Sequence, residues 1–188
     1  NGGDEIWYPD SERNRTGVRI AQGFQSATNP NYNLWGDDGL YEAIRNCNIF
    51  LSRIDDVKGI QDYEKTIWKA EVNTLKAYFH FYMLKMYGPV VISDELVPVS
   101  ESLTNVSTER NTVDEAFTFV VDLLDQAIAG LALEVQNPGE ELGRITKPIA
   151  AAIKARQKAD LIYNFHRLDT NVLLLICFTF IVKVKLYS

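Results

Sequence analysis

Apolar positions recur at steps of three and four through YEKTIWKAEVNTLKAYFHFYMLKMYGP, residues 63–89, and that spacing predicts one long α-helix around which the chain is organised. Val72, Leu75, Phe79, Tyr82 and Met86 fall on one face. Ile67, Ala70, Thr74, Tyr78 and Phe81 fall on a second face beside it, so partners are expected on more than one side. Gly88 and Pro89 end the helix, because glycine accepts the left-handed conformation just past a helix end and proline cannot continue the helix.

Upstream, Leu40, Ile44, Cys47, Leu51 and Ile54 keep the same period and predict a helix over 40–54. Asp55, Asp56 and Gly59 then turn the chain, which makes an antiparallel helical hairpin with the long helix. Cys47 lies on the apolar stripe with no cation placed to form a thiolate, so it reads as a small core residue. Downstream, short β-branched runs between 90 and 111 are broken by Pro98 and by Ser, Thr and Asn, the pattern of a long crossing loop. Thr112-Val113-Asp114-Glu115 has the form of a capping box and opens another helix, whose stripe is Val113, Phe117, Val120, Leu124, Ile128 and Leu131. Asp114, Asp122 and Asp125 flank that stripe as a solvated surface. After the polar connection 134–144, Thr146 and Pro148 start a fourth helix through IAAAIKAR. The expected fold is mainly α, tetratricopeptide-like helical hairpins, with alanines where helices approach closely.

Residues 1–35 behave differently. They are rich in Gly, Asn, Asp and Ser, carry Pro9 and Pro30, and show no sustained helical period, so a long irregular loop region is expected. Trp7, Tyr8, Phe24, Tyr32 and Trp35 are many aromatics for a loop and serve either to pin it down or to stack on a ligand.

Composition then excludes some classes. A hydrophobic fraction of 46% with 23% charged residues is that of a folded globular chain long enough, at 188 residues, for one sizeable core. The net charge of −6 removes the basic face that nucleic acid demands. Two cysteines, 47 and 177, form no metal knuckle or disulfide framework. Catalytic signatures are missing: there is no G-x-S-x-G, H-E-x-x-H, phosphate loop or dinucleotide fingerprint, and no cofactor site is legible. His80 sits in the aromatic end of the long helix and reads as a hydrogen-bonded core histidine, and Gly36-Asp37-Asp38-Gly39 as a helix-start cap, since it lacks the alternating ligands of a calcium loop.

Four blocks in order, YEAIRNCNIFLSRID, EVNTLKAYFHFYMLKMYGPVVI, RNTVDEAFTFVVDLLDQAIAGL and GRITKPIAAAIKAR, resemble the N-terminal half of the SusD/RagB family. That resemblance implies a helical, non-catalytic surface lipoprotein of Bacteroidota that binds glycans or other nutrients as a lid on a SusC-like TonB-dependent transporter of the outer membrane. The family's anchor is a lipidated cysteine, expected upstream of the segment given, since no cysteine precedes Cys47. The resemblance covers residues 1–156 and divides the chain there. Residues 157–188 depart from it: from Leu161 onward there is no Ala, Gly, Pro or Glu, and the apolar run 172–182 is too short for a transmembrane helix, which needs about 20 residues. This tail is expected to be foreign to the family, as a misjoined coding end would be.

A sugar's C–H face packs on an aromatic ring while its hydroxyls need amide or carboxylate partners. Trp35, Tyr32, Asn33, Trp7 and Tyr8 are therefore the expected ligand-binding residues, and no residue is expected to be catalytic or to bind metal. The alternative is a helical-repeat module that binds only protein, in which these aromatics are packing.

Overall fold

The computed structural model describes residues 9, 15–24, 26, 28, 33–36, 39–97 and 109–164, the last four as backbone only. Its helices are α1 (Thr16–Ala21), α2 (Leu40–Arg53), which runs into the 3-10 turn Ile54–Asp56, α3 (Asp62–Tyr87), α4 (Val113–Gly130), α5 (Pro138–Glu141) and α6 (Lys147–Asn164). No strand occurs among the described residues. The chain divides into two compact units, 1–42 and 43–188.

In the second unit α3 packs most closely against α4, and α6 packs against α4 and also touches α3. Phe81 and Ala77 of α3 meet Val120, Leu123 and Leu124 of α4, with Phe119 and Ile153 packed against them. One end of the seam is closed by Ala70, Leu131 and Ala150. Small residues set how near the helices come: a Cβ at Gly130 would stand 3.0 Å from the Cβ of Ala70. Glycine at that point lets the backbones touch.

Of the two faces of α3 expected to be covered, this close approach selects the second, which carries Ala70, Thr74 and Phe81, rather than the first. Leu75 and Met86 are 39% and 47% exposed and Phe79 and Tyr82 are half-buried, whereas Ala70, Thr74, Ala77, Phe81 and Leu84 are buried. Periodicity shows that apolar stripes exist, but the stripe with small side chains admits a neighbouring backbone and becomes the seam. Thr74 fits there because its hydroxyl donates to the Ala70 carbonyl at 2.9 Å. Tyr78, on the second expected face, is 38% exposed.

The helix ends follow local chemistry. Thr112 Oγ1 accepts from the Glu115 N–H at 3.2 Å, and Glu115 Oε2 accepts from the Thr112 N–H at 2.9 Å. The capping box read from sequence therefore forms, and the Thr112 backbone N–H holds the Glu115 carboxyl below its usual range. Gly88 ends α3 at φ 72° with its N–H on the Leu84 carbonyl at 2.9 Å. Two short helices, α1 and α5, occur in stretches expected to be irregular. Neither buries a residue, so no apolar period marks them. α6 continues to Asn164, through the expected domain boundary at 156.

Candidate ligand-binding sites

Of the expected site residues, Asn33 and Trp35 lie among the described residues. Trp7, Tyr8 and Tyr32 lie outside them, as do Asp37, Asp38, His166 and the tail 165–188. Asn33 begins a tight turn: its Oδ1 accepts from the N–H groups of Trp35 and Gly36, both at 3.1 Å. The amide folds over Gly36, where a Cβ would collide with Asn33 Nδ2. The turn then closes on the start of α2, with Leu40 N–H donating to the Leu34 carbonyl at 2.8 Å and Gly39 N–H to Gly36 at 3.0 Å. This is an Asx-turn, and it fixes the direction in which the indole leaves the chain.

Trp35 is half-buried, its ring edge-on to Tyr41 at 5.1 Å and 78°. An indole seated on a second ring and still partly open can present one surface outward. The carbonyl oxygen of Asn33 is spent within the turn, which leaves its NH2 group for any ligand. Phe24 is the other described aromatic of this unit, exposed, with the Arg19 guanidinium 5.7 Å from its ring centre.

In the second unit the polar groups nearest the core are structural. Lys76, 2% exposed, donates from Nζ to the backbone oxygen of Asp94 and, at 2.7 Å, to its Oδ1. The His80 Nδ1 lies 2.9 Å from the Lys76 carbonyl, and the Ser93 N–H donates to His80 Nε2 at 3.2 Å. Nε2 as acceptor fixes the neutral tautomer with the proton on Nδ1. Burial keeps it neutral, pushing the pKa down to about 4, against the opposing effect of the Lys76 carbonyl. Asn48 of α2 completes the network, donating to the carbonyls of Ser93 and Glu95 at 3.3 and 3.1 Å. Together they pin the crossing segment 90–97, so His80 is the bonded core histidine the sequence implied. Burial also raises the Cys47 thiol, which makes it an inert core residue.

A cavity in this unit was not expected. It holds about 230 Å³ between the first turns of α3 and the loops on either side of α5, lined by Tyr63, Glu71, Gln136, Arg144 and Ile145 among others. Arg144 forks onto Glu71, Nε to Oε1 at 2.9 Å and Nη2 to Oε2 at 2.8 Å, and its Nη1 bonds Glu141 Oε1 at 2.7 Å. The Glu71 hydrogen bonds hold the guanidinium charged. Arg144 and Glu71 stand 73 positions apart and obey no local spacing, so no sequence signal joins them. Among the described residues no cluster of His, Cys, Asp and Glu could hold a metal ion.

Residues 10–157 match the family model SusD-like, described as starch-binding associating with outer membrane. No curated protein sequence matches the chain. Solved structures similar to it include BT4246, at 30% identity and TM-score 0.65 over 76% of this chain and 23% of that one. A SusD-like protein from Bacteroides fragilis follows at 28% and 0.63, over 82% and 30%. Surface glycan-binding protein A from Bacteroides thetaiotaomicron, in complex with laminarihexaose, is similar in fold at 21% and 0.63, over 86% and 32%. The chain thus spans between 23% and 32% of the length of these three structures.

Proposed function

The chain belongs to the SusD-like family, and from that premise we propose that it is part of a non-catalytic surface protein that captures oligosaccharide for import. The family match over residues 10–157 carries this reading. The protein sits on the extracellular face of the outer membrane, held by a lipid anchor, and passes its ligand to a SusC-like TonB-dependent transporter. Trp35 supplies a stacking surface and the Asn33 NH2 group a donor to sugar oxygen, and Tyr32, Trp7 and Tyr8 are the further stacking residues proposed from the sequence. The Trp35–Tyr41 pair supports this role, because it orients a partly open indole on a fixed turn.

The test is made on the full-length protein. Trp35→Ala should weaken retention in gels containing laminarin or starch while the melting temperature stays nearly unchanged. Retention intact in a destabilised variant would remove Trp35 from the site. Copurification of a TonB-dependent transporter with the tagged protein from native outer membranes checks the partner, and its absence would count against the import role.

The same reading assigns 1–156 to the family domain and 157–188 to a tail foreign to it. Removing residues 165–188, beyond the end of α6, should improve solubility with helix content preserved by circular dichroism. Loss of cooperative unfolding on removal would make the tail part of the fold.

A further inference from the structure

The cavity at the start of α3 has the makings of a second sugar subsite. Its walls are Ile67, Ala132, Val135 and Ile145, an apolar lining of the kind on which the C–H face of a pyranose rests. Tyr63 stands among the lining residues with 67% of its surface exposed, an aromatic ring with a free face. The large hydrophobic side chains more exposed than Tyr63 among the described residues are Leu133 and Leu142, Leu133 between lining residues 132 and 134 and Leu142 next to lining residue 141 at the end of α5.

The polar groups are already fixed. Glu71 is locked by the Arg144 fork, Glu141 by the same guanidinium, and Glu64 by accepting from the Gln61 N–H at 3.0 Å. Three of the five Arg144 N–H groups are used in these contacts, so two remain as donors. Fixed carboxylates accept hydroxyl protons without rearranging, and Gln136 adds an amide that both donates and accepts. Four glutamates line the cavity against one arginine, so an anionic sugar would be repelled. The volume lies below the roughly 300–1,000 Å³ of drug-sized sites, which limits the occupant to about one ring.

We propose that this cavity binds a single neutral hexose unit of an oligosaccharide, stacked on Tyr63 and hydrogen-bonded by Gln136, Arg144 and the glutamates of the lining. The inference rests on the oligosaccharide-capture reading above and adds a site and a charge class to it. It also makes Tyr63 a specificity residue of a unit that does not contain Trp35.

Saturation-transfer NMR and calorimetry on the 188-residue chain, with laminarihexaose, maltohexaose and tri-galacturonate as probes, test it. Binding of a neutral hexasaccharide, weakened at least tenfold by Tyr63→Ala, restored by Tyr63→Phe and weakened again by Gln136→Ala, is the expected result, with no binding of the uronate. Circular dichroism must show each variant folded, which the exposure of Tyr63 favours. Neutral-sugar binding that Tyr63→Ala and Gln136→Ala leave unchanged would overturn this subsite while the capture reading stands. Preference for the uronate would overturn the charge class and with it the subsite. Failure of wild type to bind either neutral probe, with the full-length protein still retained by laminarin or starch, would overturn the subsite alone, and loss of both would overturn the capture reading as well.

Discussion

Along α3, the side facing α4 and the side facing the crossing segment 90–97 are built from opposite materials. The first joins Ala77 and Phe81 to Val120, Leu123 and Leu124 with no charge among them. The second buries Lys76 and His80, each bonded to main-chain groups of residues 76–94. Apolar packing is non-directional and tolerant of shape, whereas a buried polar group is stable only while every partner stays in place. One helix thus offers a robust face and a conditional one, and the two should fail under different perturbations.

The largest effect is expected on the apolar side. Phe81→Ala should cost about 3–5 kcal/mol in denaturant unfolding, since it empties the centre of the α3–α4 seam. A loss under about 1 kcal/mol would mean that the seam lies elsewhere.

The polar side should instead answer to pH. His80 titrates near 4 when folded and near 6.5 when unfolded, so between those values the unfolded chain binds more protons. Its contribution, on the order of 3 kcal/mol at neutral pH, is complete above pH 6.5 and is lost as pH falls towards 4. Unfolding measured across that window should be steeper for wild type than for His80→Gln, and equal slopes would contradict the buried neutral imidazole.

A smaller effect of opposite sign is expected in α6. Gln157 is fully buried, and neither of its amide atoms has a hydrogen-bond partner among the described residues. An unmet buried amide costs about 1–3 kcal/mol, so Gln157→Leu should raise the melting temperature. A fall would reveal a partner for the amide. Thr112→Ala should cost about 1 kcal/mol by removing the α4 cap. Leu75→Ala should fall within about 0.5 kcal/mol, as at other surface positions, and a cost above 2 would restore the face first expected from its periodicity.

The comparison also explains what could be read from the chain. The positions of the four long helices and the start of α4 and end of α3 were legible, because Thr112, Glu115 and Gly88 act within a turn of their own positions and apolar period needs no tertiary knowledge, whereas α1 and α5, which bury nothing, were not. Which stripe of α3 becomes the seam was not, since that depends on Gly130 admitting Ala70 from a helix 60 positions away in sequence. The candidate site divides in the same manner. Trp35 and Asn33 were visible as an aromatic beside an amide in one short stretch, although the spending of Asn33 Oδ1 on its own turn was not. The Tyr63 cavity was invisible, because Glu71 and Arg144 meet only through the fold.

Titration calorimetry of the 188-residue chain with laminarihexaose and maltohexaose tests most directly whether this SusD-like chain captures neutral oligosaccharide. Saturable heat with at least one of them, abolished by neither added salt nor chelator, is the result predicted for stacking and hydroxyl hydrogen bonding without a metal. Flat titrations with both, from a chain shown to be folded by its cooperative unfolding, would contradict it.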